Sequence, residues 1–217
     1  TSLQREANSK FGFSAKTTLS LAQALYERHK VLTYPRTDAR ALPEDYVAVA
    51  KKTMDVLASE SPYREFAKKV LKSGWVRPNK RVFDNSKVSD HFAIIPTLQT
   101  PHHLSEAEAK LYDLVVKRFL AVFFPAAEYL VTTRLTEVEG HIFKTEGKVL
   151  VEPGWLAIYG REAMEEQGSL PKIEQGERVK TSDAKAVGAA TRPPARYTEA
   201  TLLTAMEGAG KLIDDDD

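Results

Sequence analysis

Residues 125–138 read PAAEYLVTTRLTEV, and the texture of the chain changes within them. Upstream, apolar residues recur at three- and four-residue spacing; from Tyr129 to Val138 they alternate among Val, Thr and Leu. The first spacing belongs to helices packed on one face, the second to a strand whose successive side chains point to opposite sides. Pro125 cannot continue the helix before it. Helices, then strands, then one further helix predict an α+β chain with segregated regions rather than a doubly wound sheet.

Working toward the N-terminus, Ser105-Glu106-Ala107-Glu108 is a capping box. It opens a helix with Leu111, Leu114, Val115, Phe119 and Val122 on one side. Ser14 caps a helix expected to reach about Lys30, with Leu21 and Leu25 four apart beside Ala22 and Tyr26. Val31-Leu32-Thr33-Tyr34 reads as a short strand stopped by Pro35. Pro43 sits in the first turn of a helix carrying Tyr46, Val47, Ala50, Met54 and Leu57, and another helix covers Arg64–Leu71. Toward the C-terminus, His141–Thr145 and Lys148–Val151 are predicted as two short strands behind Gly140 and Gly147. A surface loop over 160–178, a strand from Glu177 to about Asp183 and a helix over Glu199–Glu207, opened by Thr198 or Glu199, complete the expectation.

A chain of 217 residues that is 42% hydrophobic and 28% charged has a globular composition and can hold one large domain or two small ones. No apolar run approaches the roughly 20 residues of a membrane-spanning helix, and the start carries no signal-peptide pattern. The absence of cysteine excludes disulfides and thiolate metal sites. A net charge of +1 conceals an uneven distribution: eight Lys or Arg lie between Arg64 and Lys87 against Glu65 and Asp84, while the chain ends on Asp214–Asp217. Such a basic stretch is either a solvated loop or a face for nucleic acid. The terminal acids read as a solvated tail rather than a metal site. Starting at Thr1 without a methionine, and stopping in an acid run after a helix, the chain is expected to belong to a longer protein.

Three clusters can carry chemistry. In Leu32-Thr33-Tyr34-Pro35-Arg36-Thr37-Asp38, Pro35 restricts the Tyr34 backbone and Arg36 follows two positions on. Phenols ionise at about pH 10, so a tyrosine attacks phosphorus usefully only where cations stabilise the phosphate. A Tyr-x-Arg is nevertheless common, and a packed core tyrosine beside a surface arginine explains most of them. His91, in Ser89-Asp90-His91-Phe92-Ala93-Ile94-Ile95-Pro96-Thr97, is either a hydrogen-bonded structural residue or a proton donor or phosphate ligand. Pro193-Pro194-Ala195-Arg196-Tyr197-Thr198-Glu199 is a proline-ended loop entering a helix. The residues by themselves stop at a phosphate-handling protein. A non-catalytic nucleic-acid-binding module, with 64–87 as its contact face and Tyr34 in a core, is the alternative.

Together these segments resemble the type IA DNA topoisomerases, most closely their topoisomerase III-like branch. Tyr34-Pro35-Arg36-Thr37-Asp38 is similar to the family's Tyr-x-Arg-Thr-Asp, and His91 to Thr97 to its His-x-Ala-Ile-x-Pro-Thr. Thr1 to Ala7 resembles the end of its Thr-Ser-x-Leu-Gln-x-Glu-Ala stretch, and Arg196 to Leu202 its Arg-[Phe/Tyr]-[Ser/Thr]-Glu-[Ala/Gly]-[Ser/Thr]-Leu stretch. The four matches stand in family order along nearly the whole chain. The resemblance implies Tyr34 as nucleophile, Arg36 and His91 as catalytic partners, and Arg36, His91, Thr37 and Arg196 as contacts to single-stranded DNA. It implies no small-molecule substrate and a cytoplasmic, nucleoid-associated location. Residues 1–127 would be a helical, winged-helix-like tyrosine domain, 128–192 part of a β-rich arch, and 193–217 the start of a helical base domain. The family's Toprim domain, with its catalytic glutamate and Mg2+ site, has no counterpart here. No metal ligand is expected in this chain, and by itself the chain is expected to be inactive.

Overall fold

The computed structural model describes residues 1–59, 61–160, 163–164, 170–183 and 185–209. Helix α1 (Ser2–Phe11) was not among the expected elements; it is polar on most sides and buries Ala7 alone. Helix α2 (Ala15–Glu27) opens on Ser14, whose hydroxyl accepts from the Thr17 N–H at 3.0 Å. It ends three residues before the predicted Lys30. Lys30 takes a φ of 58°, and the chain folds back so that the Val31 N–H reaches the Leu25 carbonyl at 2.9 Å.

Pro43 precedes a single 3-10 turn, Glu44–Tyr46, rather than standing inside the next helix, α3 (Val47–Ser59). Helix α4 (Arg64–Lys72) packs on α3. Helix α5 (Glu106–Ala121) closes its capping box in both directions, Ser105 N–H to Glu108 at 2.8 Å and Glu108 N–H to the Ser105 hydroxyl at 3.3 Å. The predicted stripe on α5 is too narrow. Tyr112, Val116, Leu120 and Ala121 are buried as well, because α1, α2, α4 and a later 3-10 helix surround it. Leu25, Leu32, Met54, Phe83, Leu111 and Leu120 are fully buried in the single core these helices share. Burying each such side chain stabilises the fold by about 1.5–3 kcal/mol.

Strands β1 (Glu128–Val138) and β2 (His141–Glu152) form one antiparallel hairpin. Glu139 and Gly140, with φ of 50° and 77°, make the two-residue turn. Positive φ at both positions matches the twist of the flanking strands. The two predicted strands merge into β2, since Gly147 pairs across to Thr132 and does not interrupt the ladder. After β2, Gly154 takes a φ of 49°, and a side chain there would collide with the Ala126 carbonyl. That approach ties the two feet of the hairpin together, with the Trp155 N–H on the Pro125 carbonyl at 3.0 Å. The 3-10 helix Gly154–Tyr159 then returns Ile158 to the main core.

The predicted strand over Glu177–Asp183 does not form. All seven residues are exposed, and local alternation alone supplies no neighbour to pair with. The expected loop over 160–178 shows no α-helix or strand among its described residues. Helix α6 (Glu199–Glu207) opens on Thr198 and docks against α1. The Glu199 carboxylate accepts from the Ala15 N–H at 2.6 Å, Asn8 accepts from the Ala200 N–H at 3.1 Å, and Arg5 pairs with Glu207 at 2.6 Å.

Candidate active site

The expected strand at Val31–Tyr34 shrinks to an isolated antiparallel bridge between Leu32 and Pro96. Two backbone bonds flank it, Thr33 N–H to the Ile95 carbonyl and Thr97 N–H to the Val31 carbonyl, each 3.0 Å. Pro96 occupies the pair that exchanges no hydrogen bonds, so its missing N–H costs nothing there. This pairing brings the Tyr34 and His91 segments together although they lie far apart in sequence.

Tyr34 is half-buried. Its ring rests on that of His91 with centroids 4.3 Å apart and planes tilted by 40°, and meets the edge of Tyr26 at 5.5 Å. Its hydroxyl has no hydrogen-bond partner among the described residues. Pro35 is buried, whereas Arg36 and His91 are exposed. Arg36 forms no ion pair among the described residues. Thr37 is a clamp rather than a free contact: its hydroxyl donates to the His91 carbonyl at 3.0 Å and accepts from the Ala39 N–H at 3.0 Å. Asp38 accepts from the Ser89 hydroxyl at 3.4 Å.

Pro35, Arg36 and His91 border a cleft of about 1020 Å³. Four arginines line it, Arg36, Arg40, Arg81 and Arg118, together with four acids, Glu6, Asp38, Asp90 and Glu207. Several of these charges are already engaged. Arg81 donates to the Val122 carbonyl at 3.1 Å, and Glu207 is held below the usual carboxylate range by the Thr1 hydroxyl, Arg5 and Arg40. Arg36 lines the cleft with no hydrogen bond or ion pair among the described residues.

Behind this segment sits a buried acid. Glu108 is 3% exposed, and burial by itself raises its pKa. The Ser105 N–H and hydroxyl, with the charges of Arg28 and His29, more than offset this and hold it at about 2. Its carboxylate binds the Arg28 guanidinium and lies 3.3 Å from His29, fixing α5 to the turn that leads into Lys30 and Val31.

Of the residues singled out in the sequence, Arg36, Thr37 and His91 line the cleft, while Tyr34 meets His91 through its ring and is not itself among the lining residues. Arg196 is exposed on the approach to α6 and does not line the cleft. From the basic stretch Arg64–Lys87, only Arg81 reaches the cleft. Lys80 pairs with Glu44 at 2.5 Å, Lys87 pairs with Asp84 at 3.1 Å, and Lys69 lies over Trp75 at 5.9 Å. Arg64, Lys72 and Arg77 are exposed and form no ion pair among the described residues. Sequence reasoning missed Tyr26, Arg40 and Arg118 as neighbours of the site. Arg40 lay in view six positions past Tyr34, but nothing local marks Arg118 on α5.

Among the described residues no group of three or more His, Asp or Glu side chains converges to hold a metal ion. The Asp214–Asp217 run lies outside the described residues. No described helix is long and apolar enough to cross a membrane.

Comparison with known proteins places this geometry in a family. A family profile described as DNA topoisomerase matches residues 1–210. The chain is 44% identical to DNA topoisomerase 3 of Bacillus cereus (strain ATCC 14579) over 99% of its length, and 42% identical to that of Bacillus subtilis (strain 168) over 98%. It spans 30% of the length of each. Full-length topoisomerase I from Thermotoga maritima matches 96% of the chain with a TM-score of 0.62 and 26% identity, the chain covering 34% of that structure.

Proposed function

Since the chain belongs to the type IA DNA topoisomerase family, in its topoisomerase III branch, we propose that it is the nucleophile-bearing part of a larger ATP-independent topoisomerase. In this reading residues 1–127 form the tyrosine domain, 128–192 part of the arch, and 193–217 the start of the base domain. The enzyme acts on single-stranded DNA and is cytoplasmic and nucleoid-associated.

The Tyr34 phenolic oxygen attacks a backbone phosphorus and the 3′ oxygen of the neighbouring nucleotide leaves, so that the protein holds the 5′ phosphate. One phosphate ester replaces another, the bond energy is retained, and the reverse attack by the 3′ hydroxyl reseals the strand. Arg36 meets the negative charge that grows on the phosphate, where a preorganised cation lowers the barrier most. His91, stacked on the attacking ring, donates a hydrogen bond to the same phosphate, and Thr37 holds the His91 backbone in place. Arg196 contacts DNA away from the reacting atoms. The family's Mg2+ and general acid are assigned to residues outside this chain; the described side chains do not form a metal site, and no step above passes through one.

The observation that carries this reading is the 4.3 Å ring contact of Tyr34 with His91, which lines the same cleft as Arg36. In the intact enzyme, Tyr34→Phe is expected to abolish the covalent protein–DNA adduct while leaving single-stranded DNA binding largely intact. Arg36→Ala is expected to slow adduct formation on the order of a hundredfold. The isolated chain should bind an oligonucleotide weakly, in a salt-sensitive way, and form no adduct with magnesium present. A 5′-linked adduct on the Tyr34→Phe enzyme would refute the assignment.

A further inference from the structure

We infer that Thr33 is a positioning residue for the cleavage reaction, its hydroxyl closing the end of the strand pairing ahead of Pro35 so that Tyr34 is held against His91. The inference rests on the proposal that Tyr34 is the nucleophile.

The register of the Leu32–Pro96 bridge places Thr33 opposite Ile95 and would place Tyr34 opposite Ile94. In a regular antiparallel ladder the Thr33–Ile95 pair exchanges two backbone bonds. Only one is made, Thr33 N–H to the Ile95 carbonyl at 3.0 Å. The second goes to the side chain: the Ile95 N–H donates to the Thr33 hydroxyl at 2.9 Å. That hydroxyl in turn donates to the Ala93 carbonyl at 3.1 Å. The side chain thus stands in for the Thr33 carbonyl, which is freed from the ladder, and the chain leaves the pairing at Tyr34.

On the partner strand, Ala93 is pinned from its other side by its N–H on the Ala41 carbonyl at 3.0 Å. Two residues earlier, the Thr37 hydroxyl holds the His91 carbonyl. Threonines on both sides of Tyr34 therefore fix the backbone that carries His91. Pro35 has no N–H to give the Ala93 carbonyl opposite it, and the Thr33 hydroxyl is the one that takes up both that carbonyl and the Ile95 N–H where the ladder ends. Valine has the same shape but neither accepts nor donates. It would leave the Ile95 N–H without its partner, and the acceptor a regular ladder offers that N–H is the Thr33 carbonyl, which would draw Tyr34 back toward Ile94. Serine keeps the hydroxyl.

Two measurements test this. In this chain, the imidazole protons of His91 are read by NMR, where the Tyr34 ring at 4.3 Å produces a ring-current shift. The shift is expected to persist in Thr33→Ser and to collapse in Thr33→Val. In the intact enzyme, single-turnover adduct formation on saturating oligonucleotide is expected to fall roughly ten- to hundredfold for Thr33→Val, because small misplacements of reacting groups are costly. Oligonucleotide affinity should change little, and Thr33→Ser should restore most of the rate. An unchanged His91 shift and cleavage rate in Thr33→Val overturns the inference, as does equal loss in the valine and serine variants. Failure of the nucleophile assignment shows up separately, as an adduct that survives Tyr34→Phe; the His91 shift still reports whether Thr33 sets the ring position.

Discussion

The helical body over α1–α5 and the β1–β2 hairpin are held by different kinds of interaction. In the body, Met54 is fully buried and the ring contact at Tyr34 depends on residues brought in from distant parts of the chain. In the hairpin, Leu135 and Ile142 remain 64% and 70% exposed, and both faces are open to solvent. Its shape follows from local features: a two-residue turn, a register that runs unshifted from Tyr129 to Val138 and slips only between Glu128 and Tyr129, Lys148 over the Tyr129 ring at 3.8 Å, and the close approach at Gly154. A two-stranded ribbon without a covered face has little stability of its own. The body can therefore fix reacting groups to within fractions of an ångström, while the hairpin contributes reach and direction.

Substitutions in the two regions should then differ sharply. Met54→Ala removes packed atoms from the core and is expected to cost about 2–5 kcal/mol in denaturant unfolding. Glu108→Gln should have an intermediate effect, on the order of 2 kcal/mol at neutral pH, through loss of hydrogen bonds to a buried charge. The folded-state pKa of Glu108 is held at about 2, against an ordinary 4.5. A depressed carboxyl contributes stability in full above its unfolded value, and the contribution is lost as pH falls through the folded value. The gap between wild type and Glu108→Gln should therefore narrow from about pH 4.5 toward pH 2; a gap independent of pH would show that the charge is not what Glu108 contributes. Leu135→Thr on the hairpin should change stability by no more than about 0.5 kcal/mol. If it costs as much as Met54→Ala, the hairpin covers an apolar face and the contrast fails.

What the sequence disclosed follows the same division. Ser14, the Ser105–Glu108 box and Thr198 were legible as helix starts because a cap is written in three or four consecutive residues. The change at Pro125 separated helices from strands for a similar reason. Gly147 misled, since a glycine reads as punctuation unless the residue across the ladder is known. Glu177–Asp183 misled in the opposite sense, having strand-like alternation and no partner. At the site, Tyr34, Arg36 and His91 were legible only through resemblance to a family. Their individual patterns also suit a packed tyrosine and a structural histidine. The burial of Glu108, the arrival of Arg118 at the cleft and the placement of Arg196 away from it depend on how helices pack, which no local pattern records.

The central claim is that Tyr34 is the residue that becomes joined to DNA. The most direct measurement is to trap the covalent complex of the intact enzyme on a single-stranded oligonucleotide, digest both components, and locate the nucleotide by tandem mass spectrometry. The predicted result is a nucleotide attached through its 5′ phosphate to the Tyr34 oxygen, in the peptide containing Leu32-Thr33-Tyr34. A nucleotide on the neighbouring Tyr26 or on any other residue, or one attached through its 3′ end, would contradict the account.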